Sequence, residues 1–242
     1  MAEKRTFPEY TVRVSPRAKR VTIRVSPGRG VEVVAPRGFD LRRVPALLRG
    51  REEWIRKQIR RFRLDAETGA PDREMPDAIE LRAVGRSYEV HYLEAGPDTA
   101  HVRANGPDRL LVRGGGRNPD SRDQALLAWL KEQGRLHLPP LLRGEAGRAG
   151  LAVERIQIRC QRSRWGSCSA RGTISLNCNL LFLPRDMARY VLLHELAHTV
   201  HLNHSPEYWR FLAGLVERAV DLDRELSGAW RYVPPWVIRA AG

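Results

Sequence analysis

The sequence predicts an α+β protein. A β-rich N-terminal region carries one helix, and a small sheet farther on accompanies a helix bearing His194-Glu195-Leu196-Ala197-His198. Three observations lead to this class. Apolar residues alternate with period two in short runs between residues 10 and 35 and again between 80 and 112, as strands with one buried face require. Longer stretches, at 40–62, 120–142, 184–202 and 205–226, space their apolar residues three and four apart, which is the helical period. Pro and Gly punctuate the joins between these runs.

The first strands are expected at residues 10–15, 20–26 and 31–35, with Val12/Val14, Val21/Ile23/Val25 and Val31/Val33 on their apolar faces. Ser15-Pro16 and Ser26-Pro27-Gly28 break them. The tetrapeptide Arg-Val-Ser-Pro at 13–16 and 24–27 marks two similar strand ends, not a repeat architecture. Asp40 reads as the N-cap of a helix running to about Phe62, with Val44, Leu47, Leu48, Trp54, Ile55 and Ile59 at roughly helical spacing. Residues 65–77, with Gly, two Pro and several charges, read as a linker. Strands follow at about 80–84, 88–94, 101–104 and 109–112, closed by Gly114-Gly115-Gly116. No Lys-Ser/Thr follows those glycines, so they are not read as a phosphate loop. A helix is expected over 120–142, and strands at 153–159 and 173–178.

Residues 184–202 read as a helix, with Pro184 near its first turn and Asp186 placed to favour the dipole. Ser205-Pro206 is a restart, Ser as N-cap and Pro at N1, of a second helix reaching about Leu226. The tail, 230–238, holds Pro234-Pro235 and two tryptophans and is expected to pack as an irregular cap. The resulting division is a basic N-terminal region of strands plus helix (1–75), a β-rich middle region (76–118) and a catalytic domain (119–242).

The composition is 42% hydrophobic and 29% charged over 242 residues, ordinary for a globular chain and inconsistent with global disorder. No apolar run approaches the ~20 residues of a membrane helix, and residues 1–10 contain no signal-type segment. A cytoplasmic location and no membrane partner are expected. Three cysteines, Cys160, Cys168 and Cys178, without a CxxC pair, point away from a disulfide framework and a four-cysteine zinc site. The net charge of +14, nearly all from arginine, attracts polyanions without a specific site. Arg17, Lys19 and Arg20 fall in one strand connection and are the candidate anion-binding residues.

The chemistry lies in His194-Glu195-Leu196-Ala197-His198. Residues four apart share one helix face, so both imidazoles can reach a single ion. Zn2+ suits imidazole ligands, and a catalytic site leaves one position open for water. Glu195, one step round the helix, stands beside that water as general base. Leu192, Leu193, Leu196 and Val200 are expected to face a core. The third ligand is His201 or His204. His201 is one turn beyond His198, and a rise of ~1.5 Å per residue would carry it away from the ion. His204 can swing back if the helix ends first, and Asn203, followed by Ser205-Pro206, supplies a stop and a restart in that order. His204 is therefore the preferred ligand, and His201 is left to shape the pocket or support a ligand. The strand at 173–178, just upstream, is expected to lie beside the metal helix with an unpaired edge open to an extended peptide.

Taken together, Arg164-Trp165-Gly166-Ser167-Cys168, Ile174-Ser175-Leu176-Asn177, Tyr190-Val191, the HExxH pentapeptide, Asn203-His204-Ser205 and Tyr208-Trp209 resemble the YgjP-like metallopeptidases, which are similar to SprT-like proteins among the zincins. Ser15-Pro16-Arg17-Ala18-Lys19-Arg20 and Ala35-Pro36-Arg37-Gly38 resemble them too. The resemblance is dense over 151–216, looser over 10–60 and weak over 75–150. It implies a zincin-type α+β catalytic domain, with a metal on His194, His198 and His204. Arg164 or Ser167 is a candidate oxyanion stabiliser; the plainer reading of that segment is a packed turn, with Trp165 as anchor and Cys168 as a small buried residue. Tyr190, one turn before His194, covers the pocket or packs in the core.

The leading function is a zinc metallopeptidase acting on a peptide or protein. The second is a metal-dependent pyrophosphohydrolase of nucleoside triphosphates, since a Lewis-acidic metal polarises phosphoryl groups as readily as carbonyls. The third is a basic nucleic-acid-binding protein with structural zinc. Glu195 argues against the third, because a structural site needs no base and fills all four positions.

Overall fold

The computed structural model describes residues 7–26, 30–62, 75–93, 96–116 and 118–241. The chain forms two compact units, residues 1–71 and residues 72–241. The boundary expected near residue 75 lies close to this division, whereas the one expected at 118 falls inside the second unit. Most of the expected linker, residues 65–74, lies outside the described residues.

The first unit holds β1 (Tyr10–Ser15), β2 (Thr22–Ser26) and β3 (Gly30–Pro36), in the order β1-β3-β2. Central β3 is parallel to β1 and antiparallel to β2. Its Val31, Val33, Val34 and Ala35 are all buried, the mark of a strand covered on both faces, while Val12 and Val14 of edge strand β1 are exposed. Asp40 acts as the cap expected of it, its carboxylate accepting from the Arg42 amide at 3.0 Å. The single helix expected to Phe62 is instead a 3-10 turn (Leu41–Arg43), α1 (Val44–Arg49) and α2 (Glu52–Phe62). Gly50, costly inside a helix, ends α1 with its N–H on the Ala46 carbonyl, and Glu52 and Glu53 favour a new helix start.

In the second unit, β4 (Ala78–Leu81), β5 (Arg86–Leu93), β6 (His101–Ala104) and β7 (Arg109–Arg113) form a sheet in the order β4-β5-β7-β6. The strand expected to reach Val84 stops at Leu81, where a 3-10 turn and left-handed Gly85 (φ 62°) intervene. Helix α3 (Pro119–Ala149) follows. It runs past the expected end at Leu142 and straight through Pro139 and Pro140. A proline pair removes two backbone donors, but tertiary packing holds the continuation. Leu138, Leu142 and Ala146 are buried, and the buried Glu145 carboxylate accepts from Arg148 (2.5 Å) and from Arg189 (3.0 Å) on the helix that carries the histidines. Gly150, at φ 66°, closes α3.

A second sheet contains β8 (Arg155–Arg159), β9 (Gly166–Cys168) and β10 (Thr173–Asn177), in the order β8-β10-β9. The edge expected on residues 173–178 is absent: β10 is the central strand, parallel to β8 and antiparallel to β9. The hairpin with β9 uses one of its ladders and the return from β8 uses the other. Ile174 and Leu176 are fully buried.

Four helices complete the unit: α4 (Arg185–Ala197), α5 (Pro206–Leu215), α6 (Ala219–Leu226) and α7 (Pro235–Ala240). The second helix expected to reach Leu226 is interrupted at Val216, which is extended (φ −139°, ψ 108°), and resumes as α6. The tail is more regular than expected. A 3-10 turn (Ala229–Tyr232) and α7 bury Trp230, Trp236, Val237 and Ile238, and Arg239 grips Asp123 of α3 at 2.7 and 3.3 Å. Among the described residues, no helix is long and apolar enough to cross a membrane.

Candidate metal centre

Helix α4 carries the motif on its last two turns. Met187, Val191, Leu192, Leu193, Leu196 and Ala197 bury its apolar side, which fixes the rotation of His194 and His198. Val200, expected among them, is half exposed because the helix has already ended. The expected end at 202 is thus five residues late. His198 itself is the C-cap. The amides of Thr199 and Val200 turn back on the carbonyls of Leu196 and Ala197, and the Thr199 hydroxyl also donates to the Leu196 carbonyl at 2.7 Å. This early stop gives the chain six residues in which to reverse. Ser205 then caps α5, accepting from the Tyr208 amide, with Pro206 in the first turn.

The reversal returns His204 to the other two histidines. One ring nitrogen each from His194, His198 and His204 lie within 4.8 Å of one another, and Nε2 of His194 and Nε2 of His204 are 3.2 Å apart. Such a set fits one ion, since imidazole nitrogens ligate zinc at about 2.0–2.1 Å. Burial, with the neighbouring His198 and His204, pushes the His194 pKa down to about 3, so its ring stays neutral, as a ligand must be. Burial, partly offset by the His201 carbonyl, lowers His198 as well.

Surrounding groups orient the rings. His198 Nδ1 lies 3.0 Å from the His201 carbonyl, an acceptor that holds the proton on Nδ1 and leaves Nε2 free. His201 thus enters the centre through its backbone; its ring packs against Phe211. Tyr208 stacks on His198 (4.7 Å between centroids, 25° between planes), and its hydroxyl donates to the His194 carbonyl at 3.3 Å. Tyr190 is wholly buried behind His194, with its hydroxyl 3.3 Å from His194 Nδ1 and 2.9 Å from Asp223 Oδ1. It therefore packs in the core and does not line an open pocket.

Glu195 is buried, and its Oε2 has no hydrogen-bond partner among the described residues. Burial pushes its pKa up to about 8, against the pull of the Arg164 guanidinium. Oε2 is thus an orphaned oxygen on the residue that follows His194 in α4. Gly166, expected in a tight turn, lies instead in β9 directly against this carboxylate. A Cβ there would stand 2.6 Å from Glu195 Oε1 and 2.7 Å from its Cγ.

The other residues of that segment are placed less directly. The Arg164 side chain is exposed, and its charge reaches Glu195. Ser167 is half-buried opposite Ser175 in the β9–β10 ladder. Trp165 stacks on Trp230 (4.6 Å, 26°). Cys168 is half-buried, not fully buried as expected, and burial and Glu195 raise its thiol pKa. Buried Asn177 holds the loop before β9, donating to the carbonyls of Gln161 (2.7 Å) and Arg164 (2.8 Å). Arg17, Lys19 and Arg20 belong to the other unit, in the β1–β2 connection.

Sequence reasoning missed the contributions of Tyr208, Asn177 and Asp223. Tyr208 had a local signal: it stands in the first turn after the Ser205 cap and so beside His204. Asp223, 33 residues from its partner Tyr190, had none.

A family model of the YgjP-like metallopeptidase domain matches residues 19–229. A comparison with curated proteins gives no match. Among solved structures, the metallopeptidase zymogen of Pyrococcus abyssi abylysin is similar at 28% identity, over 36% of this chain and 90% of that one, with a TM-score of 0.33.

Proposed function

The chain belongs to the YgjP-like metallopeptidase family, and from that premise we propose that it is a zinc peptidase with His194, His198 and His204 as ligands and Glu195 as general base. The observation that carries this reading is the meeting of three imidazole nitrogens within 4.8 Å, with a buried carboxylate on the residue after His194 whose Oε2 lacks a partner among the described residues.

Zinc held by these rings would supply a Lewis acid that polarises the scissile carbonyl and acidifies water. The protein does the rest. Glu195 Oε2 accepts the proton of the attacking water and returns it to the departing amide nitrogen, so the carboxylate ends as it began. Burial raises the pKa of Glu195, which makes its ionised form a stronger proton acceptor. Gly166 leaves the carboxylate its room, and Arg164 supplies a positive field on the same group. Because β10 is paired on both sides, a peptide cannot add to it; the substrate must approach from elsewhere.

The test is a screen of metal-loaded protein against unstructured polypeptides and nucleoside triphosphates, with Glu195→Gln as control. Peptide-bond cleavage that falls by about 10²–10⁴-fold in the variant, the range for a lost acid–base group, is the expected result. Glu195-dependent hydrolysis of triphosphates with peptides left intact would replace the peptidase with the nucleotide pyrophosphohydrolase.

A further inference from the structure

We propose that Asp223 and Tyr190 are positioning residues for the metal centre: through the Tyr190 hydroxyl, Asp223 sets the tautomer of His194 and so turns its Nε2 into the ligand atom. This rests on the three-histidine reading of the centre.

The chain of hydrogen bonds runs from α4 to α6. Tyr190 lies one turn before His194, and Asp223 sits mid-way along α6. The Tyr190 hydroxyl has a single proton. At 2.9 Å from Asp223 Oδ1 it donates there, because an ionised carboxylate can only accept. Its remaining role toward His194 Nδ1, 3.3 Å away, is to accept. The His194 proton must therefore sit on Nδ1, which leaves the lone pair on Nε2, the atom facing His204. Tyr190 is completely buried, so bulk solvent does not reach its hydroxyl.

His198 reaches the same tautomer by a different route, through the backbone carbonyl of His201. No side-chain substitution removes that acceptor. The His194 relay is built from side chains and can be dismantled one hydroxyl or carboxylate at a time. A carboxylate behind a ligating histidine also raises the basicity of the ring, and losing such support typically costs about 10–100-fold in metal affinity.

The experiment measures zinc affinity by chelator competition for wild type, Tyr190→Phe, Asp223→Ala, Asp223→Asn and the double variant Tyr190→Phe/Asp223→Ala. Thermal melts of the metal-free proteins run alongside. Tyr190→Phe keeps the ring and should bind zinc about 10–100-fold more weakly. Asp223→Ala should lose about tenfold, and Asp223→Asn, which retains an acceptor oxygen, less. If Asp223 acts through Tyr190, the double variant is no worse than Tyr190→Phe alone; independent packing roles would instead add. Nitrogen NMR of the metal-free proteins gives a second readout: wild-type His194 protonated on Nδ1, and Tyr190→Phe shifted toward Nε2–H. Wild-type zinc binding with unchanged affinity in Tyr190→Phe, additive losses in the double variant, or wild-type His194 protonated on Nε2 would each overturn the relay alone. A wild type that takes up no zinc would overturn the metal centre and the relay with it.

Discussion

His201 and His204 stand three residues apart, yet they meet the centre in different ways. His204 brings a ring nitrogen to within 3.2 Å of His194 Nε2. His201 offers only its carbonyl to His198, and an alanine would keep that carbonyl. His204→Ala should therefore lose zinc affinity by orders of magnitude, whereas His201→Ala should stay within a few-fold of wild type; isothermal titration of the metal-free proteins measures both. Equal losses would remove His204 from the ligand set. Gly166 gives a second residue-scale test. An alanine Cβ 2.6 Å from Glu195 Oε1 forces the base aside, and misplacing a catalytic group by about 1 Å can cost about 10²-fold in rate. Gly166→Ala should lose that much turnover while keeping its zinc, a split that rate and metal content together reveal. Full activity would show that the Glu195 side chain makes room for the methyl group without losing its working position. Local signals made His194, Glu195, His198 and the Ser205-Pro206 restart legible, since helix spacing and caps act over four residues. Gly166 looked like a turn residue because its purpose is set by a side chain 29 positions away.

The elements that hold the centre were legible where hydrophobic period decided them and obscure where tertiary contacts did. β1, β6 and β7 begin where alternation places them. Helix α3 outlasts its proline pair because Leu138, Leu142 and Ala146 are buried around and beyond it, a gain no local rule records. The central position of β10 was hidden for the same reason: alternation describes the faces of a strand and says nothing of its edges. Helix α3 lies tight against this sheet at Gly134, where an added Cβ would stand 2.9 Å from Ile158 Cγ2 and 3.0 Å from Cys178 Cβ. Overpacking of this kind costs about 1–3 kcal/mol. Gly134→Ala should therefore lower the unfolding free energy by about 2 kcal/mol in denaturant titrations, even though alanine favours a helix. A neutral or stabilising result would mean that α3 can move off the sheet.

Charge is distributed unevenly over the whole molecule. Residues 1–71 hold 18 of the 42 Lys and Arg but 8 of the 28 Asp and Glu, so this unit carries +10 of the net +14. Arg17, Lys19 and Arg20 in the β1–β2 connection and Arg37 just after β3 line one end of the sheet, since Ser15 pairs with Pro36. Four such phosphate contacts would make nucleic-acid binding fall about a hundredfold between about 50 and about 200 mM salt. Arg17→Glu with Arg20→Glu should weaken that binding and leave zinc content unchanged; no binding at low salt would reduce the charge to composition. This asymmetry was legible in the sequence, because it is a property of composition along the chain. For the centre itself, the most direct measurement is the zinc content of purified wild-type protein supplied with zinc and cleared of excess. One zinc per chain, retained in Glu195→Gln and lost in His204→Ala, is expected; a folded wild-type chain that takes up none would contradict the three-histidine centre.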